Sequence, residues 1–178
     1  MRFGGIVLLA LLGLGACSDP APRAPESSSS PTLTKPTVPA PTMPAQAKLN
    51  TREGAAAFVK HYIDVFNYAS NTGDTTELRR LSSPMCEGCQ SYITLYERTY
   101  KAGGYFKDSD WKLGVLKLDF GKLEPIVYGS VSSPPGVILD SAHSKPHAGH
   151  PESSDLTFIL RKQSRSWILD TFELQAAP

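Results

Sequence analysis

Residues 50–104 contain two helical patterns of apolar side chains, and each pattern creates an apolar face that has to be buried. In the first pattern, apolar residues recur every three or four positions: Phe58, Val59, Tyr62, Ile63, Phe66 and Ala69. Asn50 and Glu53 predict a capping box at the start of this helix, and Gly73 predicts its end. The other side of the helix, which includes His61, is predicted to face solvent.

A short second helix and a longer third helix are predicted next. Asp74 and Glu77 favour a capped short helix that ends before Pro84. The third helix is expected over residues 87–102, because two glycines follow it. Its buried stripe is rich in aromatic rings: Cys89, Tyr92, Ile93, Tyr96 and Tyr100. This stripe requires a partner surface.

Four later stretches have strand character, at residues 111–120, 125–131, 156–161 and 167–174. The apolar side switches at Leu116 within the first stretch, which predicts a bulge or bend. A long loop is expected between residues 132 and 154. Helices followed by strands predict an α+β fold, with N-terminal helices packed on a curved four-stranded antiparallel sheet. The lack of alternation between strands and helices counts against a Rossmann-like or thioredoxin-like fold.

This order of elements, with Trp167-Ile168-Leu169-Asp170 in the last strand, resembles the nuclear-transport-factor-2-like (SnoaL-like) cone fold. The resemblance implies a pocket between the helices and the sheet. Candidate pocket residues are the aromatic ones: Tyr62, Phe66, Tyr92, Tyr96 and Trp111. If the pocket were catalytic, Asp119 or Asp170 would be the candidate acid or base.

The N-terminus has the form of an export signal, because Arg2 precedes a short apolar run at residues 6–14. Leu14-Gly15-Ala16-Cys17 resembles the lipobox of bacterial lipoproteins. The resemblance implies removal of residues 1–16 and lipid attachment at Cys17, which would place the chain at the cell membrane on its extracytoplasmic side. The alternative is an ordinary signal peptide with a coincidental cysteine.

Residues 17–49 are rich in Pro, Ser and Thr and poor in large apolar side chains. Such a composition buries too little apolar surface to offset the entropy of ordering, so a disordered stalk is predicted. Threonines among the prolines are also typical of O-glycosylated stalks. The globular domain is therefore expected over residues 50–178.

Cys86 and Cys89 form an even pair once Cys17 is assigned to lipid. In an exported domain this arithmetic favours a disulfide. Two alternatives remain open: a redox-active thiolate, and a metal site that adds the loop histidines His143, His147 and His150. The Ser-Ser-Pro sequence before Cys86 lacks the strand that a thioredoxin-like site would have.

Charge and motifs exclude several classes of function. The chain has 18 Lys and Arg against 17 Asp and Glu, so no basic surplus indicates a nucleic-acid partner. The sequence contains no Gly-rich phosphate loop, no Gly-x-Ser-x-Gly and no His-Glu-x-x-His. Neither a cofactor nor a catalytic set is therefore predicted.

A second resemblance rests on short motifs: Gly54-Ala55-Ala56-Ala57-Phe58-Val59, Asn67-Tyr68-Ala69, Thr72-Gly73-Asp74, Leu81-Ser82 and Cys86-Glu87-Gly88-Cys89. Together they resemble an uncharacterised actinobacterial lipoprotein family, a domain of unknown function. The expected function is a non-catalytic binding or scaffolding module of the cell envelope, whose partner is another envelope protein, a wall component or a small apolar ligand. The alternative is a small pocket enzyme of isomerase or cyclase type, or a ligand-binding domain that uses the cone cavity.

Overall fold

Three helices form in the first half of the domain, where the apolar periodicity is helical. The structure, a computed structural model, describes residues 38–121, 124–164 and 166–175. These residues belong to one compact unit, Thr37–Pro178. The helices are α1 (Arg52–Thr72), α2 (Thr76–Leu81) and α3 (Glu87–Lys101).

The ends of α1 are set by a side-chain cap and a glycine. Thr51 is the N-cap, and its hydroxyl accepts a hydrogen bond from the Gly54 amide at 3.0 Å. The predicted cap at Asn50 was therefore wrong by one residue. Gly73 ends the helix with φ 77°, and a Cβ at this position would run into the Tyr100 ring. Both the backbone conformation and the close approach of α3 explain this glycine.

The main sheet is antiparallel and has five strands: β2 (Lys112–Leu113), β3 (Lys117–Phe120), β4 (Pro125–Ser133), β7 (Glu152–Gln163) and β8 (Ser166–Gln175). Four of them pair in the order β2-β4-β7-β8, and β3 also pairs with β4. All four predicted strand stretches are present. The first is divided into β2 and β3 where the side switch predicted a bend, which raises the strand count from four to five.

A second, three-stranded sheet has the order β1-β5-β6. Its strands are β1 (Tyr105–Lys107), β5 (Val137–Leu139) and β6 (His147–Ala148). The prediction of a long loop over residues 132–154 was therefore wrong where β5 and β6 form. These strands have only two or three residues, too few for a period-two pattern to be recognised in the sequence.

The core lies between the helices and the main sheet. Fully buried side chains come from both layers, as with Phe58 of α1, Leu78 of α2, and Phe158 and Leu169 of the sheet. The predicted α+β class, with N-terminal helices packed on an antiparallel sheet, is confirmed.

His61 lies on the side of α1 that was predicted to face solvent, and this prediction was wrong. The residue is only 2% exposed. Helix α2 packs against α1, and its Glu77 and Arg80 lie close enough for their charges to act on the imidazole. His61 Nε2 is buried without a hydrogen-bond partner, and burial lowers the pKa of the ring. A neutral imidazole is the consequence.

The ordered domain begins before residue 50. A 3₁₀ turn, Ala45–Lys48, packs against α1, and Ala47 is fully buried. Trp167 Nε1 donates to the Leu49 carbonyl at 3.0 Å, and Met43 packs against the core. The predicted stalk was therefore too long at its C-terminal end, because a few apolar residues anchor this Pro-rich segment. The signal segment, Cys17 and the rest of the predicted stalk lie outside the described residues.

Candidate functional site

Cys86 and Cys89 are placed as a disulfide at the start of α3, with Cα atoms 5.2 Å apart. Cys86 is also the N-cap, and its Sγ accepts from the Cys89 amide at 3.3 Å. Each cysteine is 1% exposed. A buried, bonded pair offers no accessible thiolate, so it fits the predicted structural disulfide better than the redox or metal alternative.

Gly88, between the two cysteines, explains part of the Cys-Glu-Gly-Cys motif. A Cβ here would collide with the carbonyl oxygen of Phe172. The first turn of α3 therefore packs directly on the backbone of β8. The motif therefore fixes the position of α3 on the sheet, and with it the position of the aromatic side chains of that helix.

The histidines of the alternative metal site, which was not the favoured prediction, are not brought together with the cysteines. His147 Nε2 contacts Asp140 Oδ2 at 3.0 Å, and hydrogen bonds to Ala148 and Asp140 raise the pKa of the His147 ring. His143 is exposed and His150 lies at the edge of a cleft described below. Among the described residues, no group of three or more His, Cys, Asp or Glu side chains is close enough to hold a metal ion.

An aromatic cleft of about 160 Å³ opens between α1, α3, the second sheet and the first residues of β7. Aromatic and aliphatic side chains form its walls: Phe66, Tyr92, Leu95, Tyr96, Phe106, Trp111, Pro135 and Ile138. Polar or small residues complete the lining: Ser70, Ser109, Ser133, Gly149, His150 and Glu152. The cleft thus lies between the aromatic stripe of α3 and the second sheet.

The rings of the cleft form one continuous cluster around Phe66. The centroid of Phe66 lies 4.6 Å from that of Trp111, 4.9 Å from Tyr92 and 5.5 Å from Tyr96. Tyr96 in turn packs edge-to-face on Phe106 at 5.3 Å. Edge-to-face and tilted pairs at these distances are stabilising, so the rings hold one another in place.

Two polar groups in the cleft have unused capacity to hydrogen-bond a ligand. The Tyr92 hydroxyl has no hydrogen-bond partner among the described residues, and burial and the nearby Glu152 carboxylate raise the pKa of Tyr92 to about 12. One oxygen of Glu152 accepts from the Ser154 hydroxyl, and the other receives no donor from the described part of the chain. The cleft therefore presents a neutral phenol and a carboxylate beside apolar rings.

The size of the cleft limits what it can hold. A cavity of about 150 Å³ accommodates a molecule the size of benzene. Drug-sized ligands need roughly 300 Å³ or more. A ligand here would therefore be a single small ring or branched group, or the end of a larger molecule.

Four of the five predicted pocket residues line the cleft: Phe66, Tyr92, Tyr96 and Trp111. Tyr62 does not. Its ring is buried in the core at 1% exposure, its hydroxyl hydrogen-bonds the Ser82 hydroxyl at 3.0 Å, and burial raises its pKa. The sequence pattern places Tyr62 correctly on the buried face but does not show which part of that face meets a cavity.

The two aspartates considered as acid or base lie elsewhere. Asp170 pairs with Arg161 at 3.1 Å, and Asp119 is exposed on β3. Glu152, His150 and Phe106, which do line the cleft, were not predicted. Glu152 and His150 fall in the segment that was expected to be a loop, and Phe106 lies in a three-residue strand, so periodicity carried no signal for any of them.

Larger depressions exist on the surface, and fewer aromatic rings line them. One of about 410 Å³ lies on the sheet face that carries Tyr128, where Val115 is 84% and Tyr128 42% exposed. In the aromatic cleft, Phe66 and Tyr96 are 2% and 3% exposed. A cleft whose walls reach the core is the better candidate for binding, because a ligand there is largely removed from water.

Within the part of the chain that the structure describes, no helix is both long enough and apolar enough to cross a membrane. A search of curated proteins found no significant match. A profile described as "Family of unknown function (DUF6318)" matches residues 31–171.

Several solved structures are similar to this chain, and two of them illustrate the similarity. The intermembrane space region of the chloroplast protein ARC6 has 11% sequence identity and a TM-score of 0.55; the match covers 72% of this chain and 99% of that one. A five-substitution variant of a protein titled Rd1NTF2 has 16% identity and a TM-score of 0.45, covering 69% of this chain and 97% of that one. The ARC6 similarity concerns the fold alone.

Proposed function

The chain belongs to DUF6318, a family of unknown function, and we propose that it is a lipid-anchored binding module of the cell envelope. Cys17 carries the lipid and holds the chain on the extracytoplasmic side of the cell membrane. The aromatic cleft binds a small organic ligand. The observation that carries this proposal is the cleft itself, where buried rings surround a phenol and a carboxylate with unused hydrogen-bonding capacity.

Two observations support the location. Leu14-Gly15-Ala16-Cys17 follows an apolar run that is too short to span a bilayer, as in lipoprotein signals. The pairing of Cys86 with Cys89 suits an oxidising compartment, where disulfides persist.

The anchor is tested by intact mass in a host that processes lipoproteins. The wild-type chain should have the mass of residues 17–178 plus acylated glyceride, because cleavage precedes Cys17. Cys17→Ser should retain the precursor mass, whereas the neighbouring Ser18→Ala control should be processed like wild type. A lipid-free wild-type chain that begins at another residue would contradict the anchor and leave the cleft proposal standing.

The cleft suits binding more directly than catalysis. Its tyrosines are neutral at physiological pH, because the ordinary pKa of tyrosine is about 10 and burial raises the pKa of both Tyr92 and Tyr96 further. The aspartates that would have supplied acid or base chemistry lie outside the cleft. Neutral rings and hydroxyls provide contact area and orientation for a ligand, which is what a binding site requires.

The two tryptophans of the chain allow the binding proposal to be tested. Trp111 lines the cleft, whereas Trp167 is 3% exposed and lies beside the N-terminal segment. Benzyl alcohol, a neutral one-ring probe, should shift the indole N–H signal of Trp111 in a saturable manner and leave the Trp167 signal unchanged. Equal, non-saturating shifts of both signals would contradict a specific site.

A further inference from the structure

The cleft contains an uncompensated negative charge. Glu152 is the only carboxylate among the described lining residues, no Lys or Arg is among them, and His150 is their one basic side chain. Glu152 also forms no ion pair within the described part of the chain. A half-buried carboxylate without a counter-charge is unfavourable, and a cation entering the cleft would relieve this.

The rings around Glu152 favour the same kind of ligand. Tyr92 and Trp111, whose centroids are 5.6 Å apart, are both partly exposed to the cleft, and Phe106 is partly exposed as well. Aromatic faces attract cations, most strongly when the cation is alkylated and loses little hydration on binding. The Tyr92 phenol is neutral near pH 7, as an ordinary tyrosine is, so its ring acts as a neutral π surface.

A primary ammonium would have to exchange its hydration shell for three well-placed acceptors. The Glu152 carboxylate and the Tyr92 hydroxyl supply acceptors on one side of the cleft, and the rings supply apolar surface on the others. That balance fits an alkylated ammonium, whose methyl groups contact rings while its charge remains near the carboxylate. A group with four methyls also fits the size of about 160 Å³.

We infer that the aromatic cleft binds a small alkylated ammonium group, held between its rings and the Glu152 carboxylate. This inference rests on the proposed binding function and names its ligand class. The group could belong to a free cation or to a phospholipid headgroup, since both present the same chemistry.

The test compares two probes of equal shape and different charge on the full chain in detergent micelles. Tetramethylammonium and the neutral tert-butyl alcohol are each titrated against the Trp111 indole signal. Because a cation–π contact of 1.4 kcal/mol corresponds to a tenfold change in affinity, tetramethylammonium should bind about tenfold more tightly. Its binding should weaken as NaCl is added, whereas that of the alcohol should not.

Glu152→Gln should remove most of the charge preference and leave the affinity for tert-butyl alcohol unchanged. Glu173→Gln, which removes a carboxylate exposed on β8 and outside the cleft, should behave like wild type. If Glu152→Gln fails to fold, the effect of NaCl on tetramethylammonium binding to the wild-type chain still tests the inference. Choline and glycerophosphocholine, added separately, identify the source of the ammonium group. Binding of either more tightly than tetramethylammonium supports the inference: choline would indicate a free cation, and glycerophosphocholine would indicate a phospholipid headgroup.

The outcomes separate this inference from the proposed function. Equal affinity for the two probes, or a preference unchanged in Glu152→Gln, would overturn the cation class while benzyl alcohol binding keeps the cleft as a ligand site. If neither of these probes nor benzyl alcohol produces a saturable shift of Trp111, both proposals fall.

Discussion

Phe66→Ala should lower the free energy of unfolding by about 3–5 kcal/mol, the largest effect that we expect from a single truncation in this chain. Phe66 is 2% exposed and contacts the rings of Tyr92, Tyr96, Trp111 and Phe172. Its removal would lose buried area and leave a cavity where four rings meet. Urea unfolding followed by circular dichroism measures the change.

Leu174→Ala is the matched control for this truncation, because Leu174 is 43% exposed. We expect it to cost less than about 1 kcal/mol. A loss below roughly 1.5 kcal/mol for Phe66→Ala would mean that the ring cluster can collapse into the space. The cleft walls would then not be rigid, and a preformed binding site would be contradicted.

Replacing His61 with leucine should stabilise the domain, and increasingly so as the pH falls. The imidazole is 2% exposed with an unpartnered Nε2, and an unpaired buried polar group costs about 1–3 kcal/mol. Leucine has a similar volume and no polar atom. We therefore expect His61→Leu to raise the free energy of unfolding at pH 7 by about 1 kcal/mol or more.

The pH dependence has a definite sign. Burial is the main effect on folded His61, and it lowers the pKa of the ring below the ordinary 6.5. The carboxylates of Glu77 and Asp64 raise this pKa and the Arg80 guanidinium lowers it, but neither effect is as large as that of burial. As the pH falls through 6.5, the unfolded chain takes up a proton that the folded chain does not, so stability declines towards the lowered folded pKa. The slope is at most about 1.4 kcal/mol per pH unit.

Unfolding measured between pH 7 and pH 5 tests this dependence. The wild-type chain should lose stability across this window, and His61→Leu should lose less. Exposed His143→Leu, the control, should retain the wild-type slope. The acidic groups whose pKa is lowered, Asp74, Glu77 and Glu97, lose their contributions at more acidic pH and interfere little. Parallel curves for wild type and His61→Leu would contradict the account of a buried neutral imidazole.

Long periodic elements could be predicted from the sequence because burial imposes a repeat on them. Helices α1 and α3 and the two long strands β7 and β8 each present enough residues for that repeat to be recognised. The exposure of individual residues around a helix could not be predicted in the same way. His61 looked exposed because it falls beside Lys60 and Asp64, yet α2 covers that side, and local pattern contains no information about a covering element.

The candidate site could be predicted only on its helical side. Tyr92 and Tyr96 belong to a clear stripe on α3, and Phe66 belongs to one on α1. Glu152 enters the cleft through long-range pairing of β7 with β4, in which it lies opposite Ser133. Such a juxtaposition depends on strand register and on a second sheet whose strands are too short to predict.

The cleft is tested most directly by two substitutions at adjacent positions of β4. Ser133 lines the cleft, whereas Ser132 is exposed, and adjacent strand residues point to opposite faces. With benzyl alcohol as the probe, Ser133→Phe should fill the cleft and abolish the saturable shift of the Trp111 indole signal, while Ser132→Phe should preserve it. If both variants bind the probe like wild type, the ligand does not occupy this cleft and the proposed function is contradicted.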